Sequence, residues 1–211
     1  MSPESFEGLA NPERPREYRP AVGQSKSIVL PIDRGILRLP EEATREIGGK
    51  SFDQKKEFHV TLIGNKRAKI LRDHLAVHPE DEQKIRDILE QIVWSYALSD
   101  SAMHIQQDKM VSRQLSRAEK KALIAQGKEA PDTIEETVHR ESVIQRADIP
   151  GLAVLYQRMR DELGIDLGDP PPAHVTLYTH NDKSGIGIDS EQDLESMNPQ
   201  PVDIPRISEE S

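Results

Sequence analysis

Two short stretches of this sequence repeat one another. Phe58-His59-Val60-Thr61-Leu62-Ile63-Gly64 and Ala173-His174-Val175-Thr176-Leu177-Tyr178-Thr179 share four consecutive residues, His-Val-Thr-Leu, with their histidines 115 positions apart. On an extended strand, side chains alternate between faces. Each His-x-Thr therefore puts an imidazole and a hydroxyl on one face, about 7 Å apart, and turns the intervening valine to the other. If two such strands lie side by side, two imidazoles and two hydroxyls converge on one cleft. That set suits a phosphodiester: a neutral histidine takes a proton from the attacking oxygen, a protonated one supplies the leaving oxygen, and hydroxyls hold the non-bridging oxygens. Neither step calls for a metal. An ordinary imidazole pKa near ~6.5 lets one ring serve each role around neutrality.

The elements that must position these groups are legible from periodicity. Ser27 to Ile32 reads as a strand, followed by an Asp33-Arg34-Gly35 turn and a second short strand over Ile36 to Leu39. Gly48-Gly49 marks a break, and Glu57 to Gly64 reads as a strand with Phe58, Val60 and Leu62 on one face and His59, Thr61 and Ile63 on the other. Ile85, Ile88, Leu89, Ile92, Val93 and Tyr96 form the apolar stripe of a helix over Glu80 to Tyr96. A shorter solvated helix is expected over 117–126, with Ser116 and Glu119 as a capping box and Gly127 as its stop. A third helix starts near Gly151 and ends at Gly164. Strands are expected over Met103 to Val111, Thr137 to Ile144 and Ala173 to Thr179, and Gly185 to Ile188 reads as strand or loop.

Composition narrows the function classes. The chain has 211 residues, suited to one domain, with 35% hydrophobic and 4% aromatic residues, a deficit that points to unpacked ends. Zero cysteines exclude disulfides, thiolate metal sites and a cysteine nucleophile. No apolar run approaches the ~20 residues of a membrane span, and the first residues have no apolar leader core, so a cytoplasmic protein with no membrane partner is expected. Twenty-eight basic against 37 acidic residues leave a net charge of -9, which argues against broad grip on long nucleic acid but not against a small phosphate ligand.

Other candidates carry less. Tyr178 and His180 share the parity of His174 and Thr176 on a regular strand; the tyrosine is expected to stack on a base, while His180, near the strand end, reads as solvated. Arg34, Arg140 and Lys183 are candidates to neutralise a phosphate, although each also reads as a surface charge. His74 and His78 have an i, i+4 spacing that can bind zinc, but no third ligand accompanies them. No metal and no cofactor are expected.

The paired His-x-Thr strands resemble the two-histidine (2H) phosphoesterase superfamily, which includes LigT-like RNA 2′,3′-cyclic phosphodiesterases, plant-type cyclic nucleotide phosphodiesterases and phage enzymes that degrade 2′–5′ or cyclic oligonucleotides. The resemblance covers residues 25 to 190, and its specific part is the two motifs; the charged segment from Arg113 to Asp132 and the prolines Pro170 to Pro172 depart from the commonest LigT-like pattern. It implies an α+β, bilobal 2H phosphoesterase-like fold, two pseudo-symmetric antiparallel sheet-plus-helix lobes around a central cleft. It also implies His59 and His174 as the catalytic acid–base pair, Thr61 and Thr176 as phosphate-binding hydroxyls, and a nucleotide or short oligonucleotide as substrate. The organisation expected is a flexible arm over 1–22, one bilobal domain over 23–190 and a flexible acidic tail over 191–211, in a monomer. The rival reading is a protein that sequesters a cyclic nucleotide in the same cleft without turnover.

Overall fold

In a computed structural model, which describes residues 27–183 and 185–204, the chain is a mixed α/β protein. The expected arm over 1–22 lies outside the described residues, as does 205–211. Strand β1 (Ile28–Pro31) is followed by α1 (Arg34–Leu37), a single helical turn where a second strand was expected. Asp33 caps that turn by accepting from the Gly35 N–H at 2.6 Å, and Arg38, in the left-handed region at φ 49°, ends it. Leu37 and Leu39 are both buried, and this spacing of two imitates a strand in the sequence.

Strands β2 (Thr44–Ile47) and β3 (Lys50–Gln54) form a hairpin, of which the sequence reading caught only the glycine break. Gly48 and Gly49, at φ 57° and 76°, make the two-residue turn whose twist matches a hairpin and which side chains with a Cβ resist. Strand β4 (His59–Ile63) runs directly into α2 (Asn65–Val77), and α3 (Asp81–Gln91) follows. The helix expected to reach Tyr96 stops five residues earlier, where Ile92 turns extended at ψ 132°. There the Trp94 indole donates to the Leu89 carbonyl at 2.9 Å, closing the helix end. Ile92 stays buried, which is why the periodicity ran on, while Val93 is exposed.

Strands β5 (Ala97–Gln114) and β6 (Thr133–Asp148) are longer than expected and pair along most of their length as one ribbon. Across its far end lies α4 (Arg117–Ala125), which has its Ser116–Glu119 capping box and no buried residue. Helix α5 (Pro150–Leu163) ends at Gly164, at φ 68°, and leads to β7 (His174–His180). The expected flexible tail is corrected over 191–204, which folds as α6 (Glu191–Ser196) and β8 (Gln200–Val202), the latter pairing with β5. Leu194 and Met197, three apart on a helical turn, are buried with Ile105, Ile144, Ile186 and Ile188. The acidic residues around them hid this anchor.

Among the described residues, eight strands form one antiparallel sheet in the order β1-β4-β7-β6-β5-β8, with β2–β3 attached to β7. Val60, Val175, Val143 and Tyr178 join the main core with residues of α2, α3 and α5. The opposite face carries the smaller cluster around Ile144. Because Ile144 is the register partner of Thr176, that second face also carries the repeated motifs.

Candidate active site

Strands β4 and β7 are neighbours, antiparallel, with Val60 opposite Val175. Antiparallel pairing at that point brings His59 beside Thr176 and Thr61 beside His174, all on the face away from the valines. A local twofold axis through the valine pair exchanges the two motifs. The four side chains are half-buried and line one cleft of about 520 Å³, within the range of small-molecule sites.

The two imidazoles have different surroundings. His174 Nδ1 donates to the Pro172 carbonyl at 2.9 Å, which fixes the orientation of the ring. Its pKa is lowered from the ordinary histidine value, foremost by burial. Backbone hydrogen bonding at Pro172 and Ile186 opposes that shift, while the charges of His59 and Arg146 add to it. His59 is lowered as well, by burial and then by Lys55, against a weaker raising effect of Glu57. The two rings thus sit close enough for the charge of one to be felt at the other.

Tyr178 is not in the cleft. A β-bulge shifts the β6–β7 register so that Val143 faces Tyr178 while the next residue, Ile144, faces Thr176, leaving Leu177 as the extra residue. The parity beyond Thr176 is inverted. The tyrosine ring is fully buried in the main core and its hydroxyl accepts from Gln54 Nε2 at 3.2 Å. The expectation that it stacks on a base is therefore corrected. Tyr178→Phe is expected to lower unfolding stability by about 0.5–1.5 kcal/mol in urea titrations and to leave ligand affinity in the cleft unchanged. A tenfold loss of affinity in a folded variant would return the ring to the site.

Ile63, expected on the histidine face, is likewise in the main core. His180 Nδ1 bonds the Ser51 carbonyl at 2.8 Å and its ring tilts over Phe52, a structural position. Arg34 lies away from the cleft, donating to Gln54 at 2.9 Å and to the Pro40 carbonyl at 3.2 Å. Lys183 is not a lining residue either. His74 pairs with Asp81 at 2.9 Å and stacks on His78; among the described residues no group of three or more potential ligands is arranged to hold a metal.

Arg140 does line the cleft, but its Nε meets Asp182 at 2.7 Å and its Nη2 donates to the Gly185 carbonyl. It fastens the loop over 185–188 to the sheet. Gly185, at φ 72°, lies so close to the second motif that a Cβ there would be 3.0 Å from Thr176 Oγ1. Sequence reasoning had no signal for this contact.

The start of α2 was also missed. The helix follows β4 at Gly64 with no side-chain cap, so its positive end opens on the cleft beside Asn65, Lys66 and Arg67. Lys66 pairs with Asp189, and Arg67 bridges the Leu167 and Asp169 carbonyls, each at 3.0 Å, and Asp189 at 3.4 Å. A strand running through a glycine into Asn-Lys-Arg is the feature that could have revealed it. Among the described residues no helix is long and apolar enough to cross a membrane. In comparisons with known proteins, no family model, no curated protein and no solved structure matches the chain.

Proposed function

We propose that the protein is a metal-independent phosphodiesterase of the two-histidine type, acting on a 2′,3′-cyclic phosphate or a short 2′-linked or cyclic oligonucleotide in RNA end processing or nucleotide-signal degradation. The observation that carries this reading is the Val60–Val175 pairing, which sets two imidazoles and two hydroxyls around one point of one cleft. Under this reading the β4 and β7 halves are the two lobes of a bilobal fold.

With a cyclic phosphate, one neutral imidazole takes a proton from water as its oxygen bonds to phosphorus. The other, protonated, gives its proton to the ribose oxygen as the P–O bond breaks. Thr61 and Thr176 donate to the non-bridging oxygens, where charge accumulates, and the open end of α2 favours the same anion. With a linear or macrocyclic oligonucleotide, the adjacent ribose hydroxyl replaces water and leaves a cyclic phosphate.

The test is hydrolysis of 2′,3′-cyclic nucleotides, short 2′–5′ oligonucleotides and cyclic dinucleotides with chelator present, wild type beside the His59→Ala, His174→Ala double variant. Turnover lost in the variant supports the reading. Tight binding with no turnover by wild type would favour the sequestering alternative, and strict dependence on added zinc would sink the two-histidine mechanism.

A pH dependence follows from the lowered histidine values. Turnover needs one ring neutral and one protonated. Above the higher of the two pKa values both are neutral and the acid is missing; below the lower one both are charged and the base is missing. Since both lie below the ordinary value in the free protein, kcat/KM is expected to be bell-shaped with its optimum below pH ~6.5. A bound phosphate anion raises both rings, so the kcat optimum lies at higher pH than that of kcat/KM. Rate profiles in chelator measure this, and a kcat/KM optimum above pH ~8 would contradict the assignment.

A further inference from the structure

The cleft extends beyond the two motifs along the β5–β6 ribbon, where Gln107, Asp108, Lys109 and Met110 line it. Strand alternation puts Gln107 and Lys109 on the same side as Ile105, which belongs to the cluster on the motif face. Lys66, Arg67 and Arg140, the other lysine and arginines that line the cleft, each meet a carboxylate of Asp189 or Asp182. Lys109 has no such partner among the described residues, and its neighbour Asp108 is engaged by His139 at 2.7 Å. Met110, one position on, is turned to the other face, where its sulfur accepts from Thr137. An unpaired cation on the cleft face matches the phosphate of a nucleotide.

Its distance from the reaction centre sets the ligand's size. Thr176 is opposite Ile144, and Lys109 is opposite Val138, six residues further along β6. That is about 20 Å of extended strand. A single nucleoside cyclic phosphate held by the two motifs leaves this outer part of the cleft unfilled.

Resting on the phosphodiesterase reading above, we propose that the substrate is an oligonucleotide longer than one nucleotide, whose distal phosphate is bound by Lys109. Lys109 is then a specificity-determining residue that selects length.

The experiment compares a tetranucleotide ending in a 2′,3′-cyclic phosphate with a nucleoside 2′,3′-cyclic phosphate, on wild type, Lys109→Ala and Lys109→Arg. Wild type is expected to favour the tetranucleotide, and Lys109→Ala to reduce the ratio of the two kcat/KM values about tenfold, with Lys109→Arg restoring most of it. For the tetranucleotide, the slope of log kcat/KM against log salt should flatten by about 0.7 in Lys109→Ala, one single-stranded phosphate contact. An unchanged ratio and slope in Lys109→Ala would overturn the proposal and leave the phosphodiesterase reading intact. If wild type hydrolyses neither substrate, that reading fails. Anisotropy titration of the labelled tetranucleotide across a salt series then decides the role of Lys109: a flatter slope in Lys109→Ala supports it, and no binding or equal slopes overturn it.

Discussion

His59→Ala and His174→Ala are each expected to lower kcat by about 10²–10⁴-fold, the usual worth of a positioned proton donor or acceptor. The two losses should not add. Each imidazole acts on a reaction that needs the other, so the double variant is expected to fall little below the weaker single variant. Affinity for a non-hydrolysable cyclic nucleotide analogue should change far less than kcat, because Thr61, Thr176 and the start of α2 remain to hold the phosphate. Both rings are half-buried on the sheet face that bears the cleft rather than in the main core, so the alanine variants should keep the wild-type circular dichroism spectrum. A folded double variant that turns over substrate at the wild-type rate would remove the acid–base pair from the mechanism. The pH profile separates the rings: losing the base abolishes the acid limb, and losing the acid abolishes the alkaline limb.

Gly185→Ala is expected to reduce kcat/KM by up to about 100-fold, although Gly185 itself does no chemistry. Its backbone is left-handed, where a side chain costs roughly 1–2 kcal/mol, and its new Cβ would meet Thr176 Oγ1 at 3.0 Å and Cγ2 at 3.1 Å. Arg140 fastens the same loop through the Gly185 carbonyl, so the loop cannot simply lift away. Thr176 must give, and with it the hydroxyl that stands beside His59. A displacement approaching 1 Å is enough for a loss of this size. Gly164→Ala is the matched control: its φ of 68° imposes the same backbone strain, but a Cβ there meets nothing within 4 Å. The expected pattern, measured by urea titration and steady-state kinetics, is a stability loss in both variants, larger in Gly185→Ala by the cost of the clash, with activity lost only in Gly185→Ala. Equal activity in both variants would show that Thr176 does not need its position.

The repeat His-Val-Thr-Leu was readable because alternation is local: once Val60 and Val175 must be buried, the side chains next to them must face the other way. The helices were readable where a capping box or a left-handed glycine marked an end, as at Ser116 and Gly164. Three features were not. The bulge at Leu177 depends on how β7 meets β6, a contact with no signature in β7 itself, and it reversed the placement of Tyr178. The end of α3 at Gln91 depends on α5, since a Cβ at Gly151 would lie 2.8 Å from Ile92 Cγ2 and 3.1 Å from the Val93 carbonyl. The anchoring of α6 depends on Ile105, Ile144, Ile186 and Ile188, residues far away in the chain. Of the cleft, the four motif side chains and Arg140 were legible and the rest of the walls were not, because Lys109 and the 185–188 loop reach it only through tertiary packing.

The adjacency of β4 and β7 also bears on when the site comes into being. The strands that carry the two motifs are separated by more than a hundred residues, whereas the β5–β6 ribbon closes over the short α4 connection. Loop-closure entropy favours local pairings first, and contacts between distant segments slow folding. The ribbon can zip while β7 is still searching for its neighbours, and β4 and β7 are joined at a single register pair once it arrives. On this ground the cleft is expected to be among the last parts of the molecule to form, so that a chain that has gained most of its sheet would still be without a complete pair of imidazoles.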